Sequence, residues 1–205
     1  AACRVCVVEA DVNGVPMRNL PASCVLQVQE GMNVRTNTAR VRKAVRQNVE
    51  LILANHDREC LTCRRNGTCE LQKLCRELGI DDVPYKGATR KAVIDDLSYS
   101  IIRDSSKCIL CGRCISTCKQ VQGIGVLDFT NRGFNTEVAP AFDYSMRDVD
   151  CIYCGQCIVA CPVAALREKS YIDKVWEAIE DPDKFVVVQT APAVRASLGE
   201  EFGLP

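Results

Sequence analysis

Aromatic residues are scarce in this chain, with 5 Phe, 5 Tyr and one Trp in 205 residues. So few rings cannot supply the bulk that usually fills a core, so something else must hold the fold together. An excess of either charge is also missing: 26 acidic and 26 basic residues balance, and no bulk positive field points to nucleic acid or an anionic membrane surface. No uninterrupted apolar run approaches the length of a membrane span. No charged segment followed by an apolar stretch and a small-residue cleavage site opens the chain. These absences lead to the expectation of a cytoplasmic protein with no membrane span and no nucleic-acid partner.

What the chain does have is 15 cysteines. A secreted disulfide scaffold is the first alternative, but the number is odd, the chain is long for such scaffolds, and the cysteines cluster in Cys-x2-Cys groups. That spacing suits metal ligation.

Along the chain, residues 3–28 read as β structure, with Asn13-Gly14 as a hairpin turn. A second strand is predicted through Cys24, Leu26 and Val28, ending at Gly31. The period then becomes helical: Val41, Val45, Val49, Ile52 and Leu53 follow Thr38 as N-cap, predicting a helix over 39–54 with His56 just beyond its end. A Cys- and Gly-containing loop over 60–69 leads to a short helix with Leu71, Leu74, Cys75 and Leu78 on one stripe and Gly79 as its stop. Residues 80–104 read as a connector. The segments 108–118 and 151–161 are an internal duplication, and 119–150 reads as an insertion of loops and short strands. Ser170-Tyr171-Ile172-Asp173 has the form of a capping box opening a helix that buries Ile172, Val175, Trp176 and Ile179. Phe185-Val186-Val187-Val188 reads as a buried strand, and residues 185–205 as the first piece of a domain that continues past this chain. The fold class is α+β in four parts: a partial plant-type 2Fe-2S ferredoxin domain over 1–36, a small helical His/Cys domain over 37–80, a bacterial 2x4Fe-4S ferredoxin-like domain over 81–168, and the start of a further domain over 169–205.

The duplicated segments carry the strongest chemistry, Cys108-x2-Cys111-x2-Cys114-x3-Cys118 and Cys151-x2-Cys154-x2-Cys157-x3-Cys161-Pro162. Three thiolates at this spacing wrap one 4Fe-4S cube within a loop, and the fourth reaches the other cube. The reading is therefore crosswise: Cys108, Cys111, Cys114 and Cys161 for one cluster, Cys151, Cys154, Cys157 and Cys118 for the other. Gly112 and Gly155 let the backbone pass close to each cluster and present amides to its sulfurs. Structural zinc would need only two Cys-x2-Cys pairs and would leave half of these thiolates over.

A second set is His56-x3-Cys60-x2-Cys63-x5-Cys69, read as a His/Cys3-ligated 4Fe-4S site; a Cys3His zinc site has the same donors. Neutral imidazole in place of a thiolate removes negative charge and should raise the potential. A third set, Cys3-x2-Cys6 with Cys24, is read as a 2Fe-2S site whose fourth ligand lies outside the chain. Cys75, on a helical stripe, is read as a buried, inert thiol.

Together these residues resemble the N-terminal region of FeFe hydrogenases, shared with the large iron-sulfur subunit of complex I and some formate dehydrogenases. The resemblance rests on Cys3-Arg4-Val5-Cys6-Val7-Val8-Glu9, Ser23-Cys24, Gly31-Met32 and the run from Asn55-His56 through Cys69-Glu70-Leu71-Gln72. Val186-Val187-Val188-Gln189-Thr190-Ala191-Pro192-Ala193-Val194-Arg195 with Leu198-Gly199-Glu200-Glu201-Phe202-Gly203 is similar to the opening of the hydrogenase catalytic domain. The resemblance implies an oxidoreductase, an iron-only hydrogenase subunit. Its clusters would carry electrons between a partner, an NAD(P)H-oxidising flavoprotein subunit, a 2Fe-2S subunit or ferredoxin, and an H-cluster bound beyond residue 205. The rival expectations are the iron-sulfur arm of a complex I or formate dehydrogenase type subunit, and a zinc-stabilised module without enzymatic role.

Overall fold

The computed structural model describes residues 3–203, and the chain divides into two units, Ala1–Lys169 and Ser170–Pro205. The first unit opens with a three-stranded antiparallel sheet of β1 (Glu9–Val12), β2 (Val15–Pro16) and β3 (Met32–Arg35), in the order β2-β1-β3. Asn13 and Gly14 both take left-handed φ, 51° and 81°, as the tight turn between β1 and β2 requires. The strand expected across Cys24, Leu26 and Val28 does not form; that stretch is turn and irregular backbone, with Val25 and Val28 exposed. The strand lies instead after Gly31. Its register is fixed by a polar contact: Asp11, buried on β1, accepts from Asn33 Nδ2 at 2.9 Å and pairs with Arg35 at 3.3 Å.

Helix α1 spans Ala39–Asn55, one residue beyond the expectation. Thr38 is extended and its hydroxyl accepts the Val41 N–H at 3.2 Å, satisfying one of the free donors of the first turn. Val41 and Val49 are buried on the inner face, with Val45, Ile52 and Leu53 beside the core. The buried Glu50 pairs with Arg46 at 2.9 Å, and Arg46 also donates to Leu78 O at 3.1 Å. That carbonyl ends α2 (Glu70–Leu78), so one arginine ties the two helices together. α2 stops at Gly79, whose φ of 60° few other residues would accept.

The supposed connector over 80–104 holds part of a sheet. β4 (Ile94–Asp95), β5 (Ile101–Asp104) and β8 (Leu166–Glu168) pair antiparallel in that order. All four residues of β5 are buried. Strand β5, ahead of the first Cys-rich segment, is thereby joined to β8, behind the second. Between them lie α3 (Arg113–Ser116), a π turn over Thr117–Val121, the hairpin of β6 (Asp128–Thr130) and β7 (Glu137–Ala139), and α4 (Gln156–Ala160). The insertion supplies core as well as loops, since Leu127, Val138, Ala139 and Met146 are all buried. Buried Arg103 on β5 fastens it, reaching Glu137 at 3.0 Å, Val138 O at 3.3 Å and Asp95 at 4.0 Å.

The core answers the shortage of rings with sulfur. Val49, Leu71, Ile101, Leu127, Met146 and Val163 pack in one cluster with Cys69, Cys114, Cys157 and Cys161. Thiols built into the core must be held in place for the core to hold.

The second unit contains α5 (Ile172–Glu180) and α6 (Pro192–Glu201), the latter with Pro at its first turn. Three expectations fail here. The residue capping α5 is Tyr171, while the Ser170 hydroxyl accepts from Ile172 N–H, at 3.4 Å. Ile172, Val175, Trp176 and Ile179 are exposed, and so is Phe185-Val186-Val187-Val188, which forms no strand. A strand needs an edge to satisfy its amides and carbonyls, and no sheet lies among the described residues of this unit.

Candidate metal centres

The two Cys-rich segments repeat each other in backbone as well as in spacing. Leu110 and Gly112 have φ of 54° and 73°, and Tyr153 and Gly155 have 53° and 73°. A left-handed non-glycine residue costs about 1–2 kcal/mol, and it persists only where the surroundings over-determine it. Here the kink folds amides back onto sulfur. Tyr153 N–H donates to Cys151 Sγ at 3.4 Å, and the Leu110 and Arg113 amides do the same for Cys108 and Cys111.

Cys108, Cys111, Cys114 and Cys161 line one narrow cavity of about 20 Å³. Three come from the loop ahead of and into α3, and Cys161 arrives from the end of α4. Burial pushes the Cys108 thiol up to about 11, and it raises Cys111 and Cys114 as well; neighbouring sulfurs of the same set push all three further. Thiols so placed cannot all ionise without a cationic group among them, which is the chemistry a metal core supplies.

The other set gathers in the same sense. Burial raises Cys151 and takes Cys157 to about 11, and both lie within electrostatic reach of Cys118 and Cys154. Cys118 is carried by the π turn that follows α3, an irregularity common at functional positions. Cys157 is also near enough to Cys114 to raise it, so the two sets adjoin.

Among the described residues, no three His, Cys, Asp or Glu side chains gather closely enough to hold a single ion. A tetrahedral zinc site draws sulfurs to about 2.3 Å from one point. Thiols spread around the walls of a cavity fit a group of several atoms.

His56, Cys60, Cys63 and Cys69 share a cavity of about 180 Å³, walled by Leu53, Leu71, Ile80 and Val163. His56 is the residue that ends α1, and Cys69 the one that opens α2. The imidazole Nδ1 is buried with no hydrogen-bond partner, while the ring hydrogen-bonds the Lys107 backbone. An imidazole fixed at one nitrogen and bare at the other is the arrangement of a ligating histidine. Burial, and then the charge of Lys107, hold its pKa down at about 4, so the ring is neutral and able to donate a lone pair. Cys75 departs from expectation: it is only half-buried and lines this same cavity, where burial and then Cys69 and Cys60 raise its pKa. The helical stripe located its face but not the cavity opposite.

Cys3, Cys6 and Cys24 line a wider cavity of about 530 Å³, together with Cys111, Arg113 and Glu70. Burial pushes Cys6 up, but hydrogen bonds with Cys24 and Ser23 outweigh it and lower its pKa; Cys24 is raised by the same contact. Cys111 is the one further cysteine on this cavity, and it belongs to another set.

The sets are contiguous. Cys111 lines both the Cys3 cavity and the Cys108 cavity, and Val163 lines both the His56 and the Cys108 cavities. Arg65, from the loop between Cys63 and Cys69, donates to Cys161 O at 3.0 Å, and the Glu70 amide donates to Pro162 O at 3.1 Å. Three charged residues at these junctions were not visible from spacing: Lys107; Arg113, paired with Glu70 at 2.7 Å; and Arg90, which donates to Cys108 O at 3.1 Å and Thr136 O at 2.8 Å. Each pairs across a long stretch of chain, and no local pattern encodes that.

Three family models match in chain order: a 2Fe-2S iron-sulfur cluster binding domain over residues 1–39, an NADH-ubiquinone oxidoreductase-G iron-sulfur binding region over 46–84, and a 4Fe-4S dicluster domain over 107–165. The NADP-reducing hydrogenase subunit HndD of Solidesulfovibrio fructosivorans is 50% identical over 204 residues, 100% of this chain and 34% of its own length. Iron hydrogenase 1 of Clostridium pasteurianum is 34% identical, over 98% of this chain and 34% of its own. The chain thus spans about a third of these relatives. A solved NAD+-reducing [NiFe]-hydrogenase in the H2-reduced state superposes with a TM-score of 0.70 at 28% identity, over 82% of this chain and 70% of that one.

Proposed function

This chain belongs to the N-terminal iron-sulfur region that iron hydrogenases share with the G subunit of NADH-ubiquinone oxidoreductase, and from that premise we propose that it is the electron relay of an FeFe hydrogenase of the NAD(P)-linked, multi-subunit type. Bound iron-sulfur clusters supply one-electron redox centres whose potentials follow ligand type, hydrogen bonding and burial. The chain's own residues hold and insulate them. Cys108, Cys111, Cys114 and Cys161 would bind one 4Fe-4S group, and Cys151, Cys154, Cys157 and Cys118 a second. His56, Cys60, Cys63 and Cys69 would bind a third. Cys3, Cys6 and Cys24 would bind a 2Fe-2S group with one ligand from outside these residues. The parts follow as a 2Fe-2S domain over 1–36, the His/Cys domain over 37–80, the dicluster domain over 81–168 and the opening of a catalytic domain over 169–205.

The observation that carries the reading is contiguity: the Cys108 set shares cavity walls with both the His56 and the Cys3 sets and adjoins the Cys151 set through Cys114 and Cys157. A relay needs its centres close together and shielded from water. In this arrangement the Cys3 and His56 sets form the input side, and the Cys151 set lies beyond the Cys108 set. The electron donor is an NAD(P)H-oxidising flavoprotein subunit, a 2Fe-2S subunit or ferredoxin, in a cytoplasmic hetero-oligomer; no described helix is long and apolar enough to cross a membrane. The H-cluster, and with it hydrogen chemistry, belongs to sequence beyond residue 205. The test is hydrogen evolution by the whole protein with reduced partner. Cys114→Ala should abolish partner-driven turnover while a small artificial donor acting at the H-cluster still supports it. Equal loss with both donors would remove the relay role.

A further inference from the structure

The segment carrying His56 is clasped to the one carrying Cys108. Asp57 N–H donates to Ser106 O at 3.0 Å, and the His56 ring hydrogen-bonds the Lys107 backbone. Lys107 reaches back: its Nζ lies 3.1 Å from Asp57 O and 2.5 Å from Asp57 Oδ2. Lys107 is 8% exposed, whereas the Asp57 side chain is 38% exposed. A lysine is almost never buried to that degree unless paired, and burying an ammonium is costly until its partner compensates. A solvated surface pair would serve the fold at lower cost. Asp104, the other carboxylate nearby, is already engaged by the Ser106 amide at 3.0 Å and hydroxyl at 2.6 Å. It leaves Asp57 as the partner of Lys107.

Resting on the reading of His56 as a ligand, we propose that Lys107 and Asp57 form a charge clasp that orients His56 and sets the reduction potential of the centre His56 completes. Two physical effects combine. The Lys107 backbone holds one ring nitrogen and so aims the other at Cys60, Cys63 and Cys69, as an outer hydrogen-bond partner does for a ligating histidine. The ammonium, kept from water, stabilises added negative charge nearby more strongly than it would at the surface. It therefore favours the reduced state and raises the potential. Asp57 opposes it, and more weakly because water reaches it. Lys107 is also the residue before Cys108, so the same side chain stands at the junction of two sets.

The test is a redox titration followed by electron paramagnetic resonance on the anaerobically purified whole protein, tracking the signal that disappears in His56→Ala. Lys107→Met should shift the midpoint of that signal downward, Asp57→Asn should shift it upward, and Lys107→Arg should restore most of the native value, with iron content held in all three. Opposite signs from the two partners cannot come from general loosening. If Lys107→Met sheds iron, Asp57→Asn carries the test through its upward shift. Shifts of the same sign, or a signal that stays put in both variants, overturn the clasp and leave the ligand set standing. If His56→Ala removes no signal at all, the ligand reading fails and the clasp falls with it.

Discussion

At Gly112 the backbone holds a φ of 73°, and a Cβ there would meet the Phe129 ring at 3.3 Å. Gly155, its counterpart in the second segment, has the same φ with open space around it. Gly112→Ala should therefore cost more than Gly155→Ala. The left-handed strain is about 1–2 kcal/mol in either case, with crowding added only at the first, and thermal unfolding of the two variants side by side measures the difference. Residue by residue, the candidate donors were legible because they lie in spacing: the thiol triplets and the lone histidine stand out in the sequence. Cys75 was not, because its interval from Leu71 and Leu78 says which helical face it occupies and nothing of what the face looks into. It lines the same cavity as His56, Cys60, Cys63 and Cys69. Iron analysis separates the two readings: Cys75→Ala should keep the full iron content, whereas Cys69→Ala should lose about four irons, one cube.

Elements were legible where a local rule fixes them. Thr38 capping α1, Asn13-Gly14 turning between β1 and β2, and Gly79 closing α2 each solve a backbone problem within a few residues. Replacing Thr38 by Ala should cost about 1 kcal/mol, seen as a lower denaturation midpoint with unchanged iron. Strand β5 escaped because Ile101-Ile102-Arg103-Asp104 shows no alternation, and two of its residues are charged yet buried. What makes it a strand is remote: Arg103 meets Glu137 and Asp95, and β8 pairs from the far end of the repeat. Arg103→Met should leave both carboxylates without their cation and cost about 3–5 kcal/mol, read as a drop in Tm larger than any single cap gives. The apolar run at 185–188 misled in the opposite direction. Its composition suits a strand, but the described residues of this unit offer no edge to receive it.

For the molecule as a whole, the scarcity of rings and the abundance of thiols are one design. Cys69, Cys114, Cys157 and Cys161 are core residues, so the groups they would hold are part of the folding free energy. Removing metal with a chelator under reducing conditions should unfold the first unit, and Cys157→Ala should both destroy one cube and destabilise the fold around it. Far-UV circular dichroism alongside iron release tests this; retained structure after complete iron loss would show that apolar packing suffices. Within the first unit the contiguous thiol-lined cavities suit the 2Fe-2S and 4Fe-4S binding domains whose family models match these residues. The most direct measurement is anaerobic analysis of iron, inorganic sulfide and zinc in the chain of residues 1–205. Iron and sulfide in near-equal amounts, about twelve to fourteen of each per chain from three cubes and a 2Fe-2S site, with no zinc, is the predicted result. Stoichiometric zinc without sulfide would contradict it.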